Sequence, residues 1–396
     1  MTDGHFRILS NSQTTGARLG ELRLSHGTVI TPSFIPVGTH ATVRSLTPDD
    51  LYAMNIEIIL CNAFHLYLRP GIEIITKAGG LHKFMNWERP ILTDSGGYQL
   101  FSLSSLRDIR EDGVYFKSHI DGSEHYITPE MSIEMQEKLG ADIIMVLDVC
   151  PESTAEKDYL INAVDYTSRW AKRCLKAKKE TGQLLFGIIQ GGTYPELRKR
   201  SAEQVVALDF PGYAIGGLSL GESKEAMWST VDFTMQYMPA VKPRYLMGIG
   251  SPEDIVEGVS RGIDIFDCAL PTRVARNGAL LTRTGRKNLK RAFYRDKMLP
   301  VDEDCKCYTC NNFTVAYLHH LFKCEELLAY RLATLHNLYF MYKLVLDIRK
   351  AIEEDAYDKF KNDFLASYQT TDEERRIDQK LRGIEVKRSR NSTDSH

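Results

Sequence analysis

The chain has 396 residues, of which 43% are hydrophobic and 26% charged, and its formal net charge is −2. That composition excludes a largely disordered chain and leaves room for one large domain with a small appendage, while the near-neutral charge excludes a globally basic nucleic-acid binder. No apolar run reaches the roughly 18 to 20 residues of a membrane span, and the start, MTDGHFRILSNSQTTGARLG, lacks a signal-peptide pattern, so the reading is a soluble, cytoplasmic chain with reduced thiols.

Short apolar runs rich in Ile, Val, Leu and Phe recur at 33–36, 56–60, 90–93, 143–147, 184–189, 213–215, 245–247 and 263–266. Between them lie helical patterns, the clearest at 131–139, 157–179, 194–206 and 251–261, the last opening on Ser-Pro. Buried parallel strands joined by helical crossovers give an α/β chain, and eight of them predict a (β/α)8 TIM barrel. A doubly wound sheet is the alternative, but it normally carries a Gly-rich phosphate turn after its first strand, which is missing here. The third crossover is long, and alternation at Val114, Phe116 and Ser118 before Asp121-Gly122 predicts an inserted hairpin. The boundaries read as a barrel domain over 1–300 closed by C-terminal helices, a metal-binding helical subdomain over 301–369 and a charged, flexible tail over 370–396.

Polar or glycine-bearing residues follow most of the strands: VGTH, CNAFH, DSGGYQ, DVC, QGG, GGLS, GIG and DC. A barrel gathers such groups at one face, so Asp94, Asp148 and Asp267 meet at its mouth. One strand-end Asp is commonly a helix cap, but three beside Gln190 and two Gly-Gly steps read as chemistry, with pKa values pushed apart.

In DCKCYTC, Cys305, Cys307 and Cys310 fall close enough for three thiolates to converge on one cation. A closed zinc site needs a fourth ligand, for which His336 is the best placed candidate, with Cys324 and His319-His320 as weaker ones. Such a site has no open position, so the one zinc is structural. The run from Arg273 to Lys297, with Asp296 its only acid, is the one strongly basic segment.

These motifs converge. The stretches TPSFIPVGTHATVRSLTP, FHLYLRPG, ILTDSGGYQLFSL, GIIQGG, IGGLSLGE, YLMGIGSPEDI, FDCALPTRVARNG and CKCYTC with its distant His resemble, in order and spacing, the tRNA-guanine transglycosylases. The resemblance implies a pentosyltransferase that swaps the wobble guanine of tRNAs with GUN anticodons (Asp, Asn, His, Tyr) for a 7-deazaguanine base, in queuosine biosynthesis. It makes Asp267 the nucleophile and Asp94 the general acid/base. Asp148, Gln190, Gly217 and Leu218 hold the base edge, Tyr98 and Met247 sandwich the base, and Glu222 lies behind the Leu218 backbone. Arg273 and Arg276 contact the anticodon, and the expected state is a homodimer.

Val149, Gly192, Ala63 and Leu220 depart from the commonest bacterial or eukaryotic patterns. They leave two incoming bases, 7-aminomethyl-7-deazaguanine, preferred because Leu220 crowds the pocket rim, and the larger queuine. A rival of another class is a non-catalytic tRNA-binding partner subunit, against which the three aspartates together argue.

Overall fold

A computed structural model describes residues 4–103, 107–151 and 155–370. The N-terminal strands β1 (Phe6–Asn11), β2 (Arg18–Leu24) and β3 (Gly27–Thr31) form an antiparallel sheet. The barrel strands follow: β4 (Ser33–Pro36), β5 (Ile59–Asn62) and β6 (Ile91–Asp94). Next comes an antiparallel insertion of β7 (Arg107–Arg110), β8 (Gly113–Lys117) and β9 (Glu124–Ile127). The barrel resumes with β10 (Ile143–Met145), β11 (Leu184–Ile189), β12 (Gly212–Ile215), β13 (Arg244–Leu246) and β14 (Ile265–Cys268).

The eight barrel strands form one parallel sheet in the order β4-β14-β13-β12-β11-β10-β6-β5. A parallel bridge between Val37 and Leu60, with the Gly38 N–H donating to the Leu60 carbonyl at 2.6 Å, joins its two ends. The eight-strand barrel read from the sequence is therefore what the chain forms. All six residues of β11 are buried, as expected for a strand with side chains inside the barrel on one face and helices on the other. Helix Lys157–Ala177 supplies one such cover, burying Leu160, Ala163, Val164, Thr167, Trp170, Ala171 and Cys174 at helical spacing. Helix Pro129–Leu139 starts where the Thr128 hydroxyl accepts from Met131 N–H and ends on Gly140 in the left-handed region, φ 75°.

The predicted hairpin insertion has a third strand, β7, whose polar sequence RDIR gives no apolar alternation to read. Contacts divide the chain into two compact units, one running to Arg273 and including Met341–Phe360, the other Val274–Phe340 with the described residues from Lys361. Residues 274–300, read with the barrel from sequence, thus group with the cysteines. Their hairpin, β15 (Ala279–Thr282) and β16 (Gly285–Asn288), is tied to helix Leu327–Glu353 by the Leu281 N–H donating to Asn337 Oδ1 at 2.9 Å. The tail expected from 370 lies outside the described residues from 371 on. Among the described residues no helix is long and apolar enough to cross a membrane.

At the N-terminal end of β14, Asp264 is fully buried and grips Arg18 through two bonds, Nε to Oδ1 at 2.9 Å and Nη2 to Oδ2 at 2.6 Å. Arg18→Met leaves that buried carboxylate without its ion-pair partner, held only by the Arg244 N–H at 2.7 Å and the more distant Arg244 charge. The expected loss is ~3–5 kcal/mol in urea unfolding, and an unchanged midpoint would show that the pair contributes nothing.

Candidate active site and metal centre

The parallel register sets Asn62 beside Asp94, both at the last position of their strands. Asp94 is buried and accepts from Asn62 Nδ2 at 2.5 Å, from Gln99 Nε2 at 2.8 Å and from the Ala63 N–H at 3.0 Å. Burial outweighs these neutral donors and, with a smaller push from the Asp267 charge, raises its pKa to about 6.

Past the end of the neighbouring strand β10, Asp148 accepts from Ser95 Oγ at 3.1 Å and Gln190 Nε2 at 2.7 Å, and burial raises it to about 6 as well. The other end of the Gln190 amide, Oε1, is buried and has no hydrogen-bond partner among the described residues. Glycines make room for this pair. A Cβ at Gly97 would stand 2.3 Å from Asp148 Oδ1, and one at Gly217, where φ is +70°, would stand 2.3 Å from Gln190 Oε1.

Asp267, on β14, is buried and accepts from Tyr245 Oη at 2.6 Å and the Gly248 N–H at 2.7 Å. Both bonds fall on Oδ1. Burial again raises its pKa. The three aspartates thus share one chemistry: each is buried, and every hydrogen bond described to them comes from a neutral group. Tyr98 stands half exposed in the first turn of helix Gly97–Leu103. Met247 follows β13 half-buried, its N–H donating to the Ile215 carbonyl at 3.2 Å.

Glu222 caps the turn after β12, accepting from the Ser219 N–H and, at 3.0 Å, from the Leu220 N–H. In a trans peptide N–H and C=O point opposite ways, so the Leu218 carbonyl is directed away from Glu222. Arg273 is exposed on helix Leu270–Arg276 and falls in the first unit, whereas Arg276 falls in the second. Sequence reasoning missed Asn62, Gln99, Ser95 and Tyr245. The signal for Asn62, Ser95 and Gln99 is a place at, or a few residues past, a strand end in CNAFH and DSGGYQ, whereas Tyr245 sits inside β13 and carries none.

In the second unit Cys305, Cys307 and Cys310 bring their sulfurs to 3.8, 3.5 and 3.3 Å from His336 Nδ1. All four ligand atoms lie within 4.8 Å of one another, so the group can hold a metal ion. His336 Nε2 donates to the Leu281 carbonyl at 2.7 Å, which fixes the tautomer with its Nδ1 lone pair toward the thiols. The weaker candidates lie elsewhere: His319 Nδ1 binds the Leu289 carbonyl at 2.6 Å, and Cys324 is exposed next to His320.

The family model for queuine tRNA-ribosyltransferase matches residues 12–370. A queuine tRNA-ribosyltransferase of Dehalococcoides mccartyi is 57% identical over 382 residues, 96% of this chain and 97% of its own. One from Caldanaerobacter subterraneus is 57% identical over 370 residues, 93% and 99% of the two chains, and one from Halothermothrix orenii 55% over 363, 92% and 97%. The chain belongs to the queuine tRNA-ribosyltransferase family. As a member of that family it is a pentosyltransferase.

The buried aspartates of this transferase have a cost that can be measured. Unfolded, Asp148 ionises near its ordinary 3.8, whereas folded it holds its proton to about 6. The native state therefore binds more protons between those values, and stability falls as pH rises through them. Asp148→Asn keeps an acceptor for Gln190 and an amide donor for Ser95. It should unfold up to ~3 kcal/mol later than the parent near pH 8, with the gain vanishing below pH 4. Denaturant melts at the two pH values check this, and a mutant less stable at pH 8 would contradict it.

Proposed function

We propose that this chain is a tRNA-guanine transglycosylase that replaces the wobble guanine of GUN-anticodon tRNAs by double displacement. The observation that carries the reading is the trio of buried carboxylates at one rim of the barrel, one of them with both its bonds on a single oxygen. Asp267 Oδ2 attacks C1′ of the target nucleoside, guanine departs with its bonding pair, and Asp94 supplies the proton it needs. The incoming base then gives a proton back to Asp94 and attacks C1′, and the ester to Asp267 breaks. A carboxyl with a pKa of about 6 is suited to both transfers near neutral pH.

Asp148 and Gln190 meet the polar edge of the base, with Gly217 and Leu218 offering backbone groups, while Tyr98 and Met247 cover its faces. Arg273 and Arg276 read the anticodon. The preferred incoming base is 7-aminomethyl-7-deazaguanine: the Glu222 cap supports a Leu218 carbonyl free to accept from an ammonium group. The features that kept queuine open are weaker, since the Gly192 Cβ direction faces Leu160 rather than open space. The reading includes a cytoplasmic homodimer.

Asp267→Asn should abolish exchange of radiolabelled guanine into a GUN-anticodon tRNA while tRNA affinity stays within a few-fold. A denaturant-resistant RNA adduct formed by that mutant would overturn the assignment.

The metal we assign is zinc, because three thiolates and one imidazole match its tetrahedral, closed structural sites. Bound there, it would cross-link the cysteine loop to the helix that carries His336. Metal analysis should find one zinc per chain in the parent and well under one in Cys310→Ala, with a lower Tm. Full zinc retention by the variant would exclude this ligand set.

A further inference from the structure

Two strand-end motifs, VGTH and CNAFH, end on histidines that the chemistry above leaves without a task. Each contributes a histidine to the same place. His40, from the segment after β4, meets His65, on helix Ala63–Leu68, edge to face with ring centroids 5.0 Å apart. His119, in the turn between β8 and β9, meets His65 in the same manner at 6.1 Å. His40 and His119 are exposed and His65 is half-buried.

Two exposed arginines join them. The positive charge of Arg44 bears on both His40 and His65, and that of Arg69 on His40. Burial, together with His40, His119 and Arg44, holds His65 down at about 4. The charged neighbours acting on His40 and His65 are all basic. Among the described residues neither Arg44 nor Arg69 forms an ion pair. Gathering basic groups at a surface with no internal counterion is unfavourable until an anion arrives.

The cluster also borders the reacting centre. His65 is two residues from Ala63, whose N–H holds Asp94. An anion bound here therefore lies close to the nucleoside being cut. In a polynucleotide the anions next to a given nucleoside are the phosphodiesters on either side of it. Resting on the tRNA reading above, we propose that His40, His65, His119, Arg44 and Arg69 form a cradle for one of the two phosphates flanking the target guanosine. Contact with a backbone phosphate fixes register rather than reading sequence. The cradle would hold the sugar of the target against Asp94 while the base is exchanged.

The test uses the zinc-loaded full chain and an anticodon stem-loop RNA with a neutral methylphosphonate at either flanking phosphate. Binding is followed by fluorescence anisotropy. For the parent, one of the two neutralised RNAs should bind about tenfold more weakly, and for the Arg44→Gln/Arg69→Gln variant the same replacement should cost less than about twofold. The variant should also lower the slope of log Kd against log salt by about one unit for each phosphate contact it removes. No loss for either neutralised RNA with the parent, a measurement that does not depend on the variant folding, would overturn the cradle. So would an equal loss in parent and variant, with thermal melts confirming that the variant is folded. Guanine exchange into the unmodified stem-loop separates the two levels: exchange with no methylphosphonate effect removes the cradle alone, and absence of both exchange and binding removes the tRNA reading with it.

Discussion

The constraint on which this structure turns is the burial of three carboxylates at one end of a barrel with, among the described residues, no cation paired to any of them. Burial disfavours the charged form, and hydrogen bonds from amides, hydroxyls and peptide N–H groups offset only part of that. Asp94 and Asp148 are left near 6, where a carboxyl can exist in either state at neutral pH. Everything around them serves to keep that balance: strand ends bring Asn62, Tyr245 and the Gly248 N–H to bear, and glycines admit the side chains that hold them.

The other end of the barrel handles the same residue type in the opposite way. Asp264 is matched by Arg18, and Asp142 accepts from His26 Nδ1 at 2.8 Å, from the His26 and Ile91 N–H groups at 2.9 Å, and has His82 Nε2 at 3.3 Å. Asp142 is accordingly held below its ordinary value even though it is buried. Aspartates bonded to arginine or histidine tie strands and loops together at the closed face, although burial still raises Asp264 above its ordinary value, while those with amide, hydroxyl and peptide partners face the mouth. The division agrees with the general separation of stability and activity between the two faces of such barrels.

Much of this was legible in the sequence because a parallel strand covered on both faces is a near-continuous apolar run. The 184–189 run coincides with β11, and 33–36 with β4. The 56–60 run was placed too early: β5 ends on Cys61 and Asn62, whose place in the sheet is set by pairing with Thr93 and Asp94 and not by hydrophobicity. The same cause hid Asn62, Gln99 and Tyr245, since a neutral donor is chosen by register and carries no pattern of its own. The aspartates were readable because a charge at the end of an apolar run is conspicuous. The hairpin 279–288 was misallocated because its anchors, Asn337 and His336, lie over fifty residues downstream.

The glycine contacts have a consequence for how such a pocket can diversify. At 97, 216 and 217 any side chain would stand within 2.6 Å of an amide or carboxylate atom of Asp148 or Gln190. These three positions are therefore closed to gradual change, because even the smallest substitution there displaces the Asp148 carboxylate or the Gln190 amide. Leu220, three residues on from Gly217, is by contrast half-buried and already carries a branched side chain. A position of that kind can change one residue at a time while the geometry of the Asp148–Gln190 pair stays fixed.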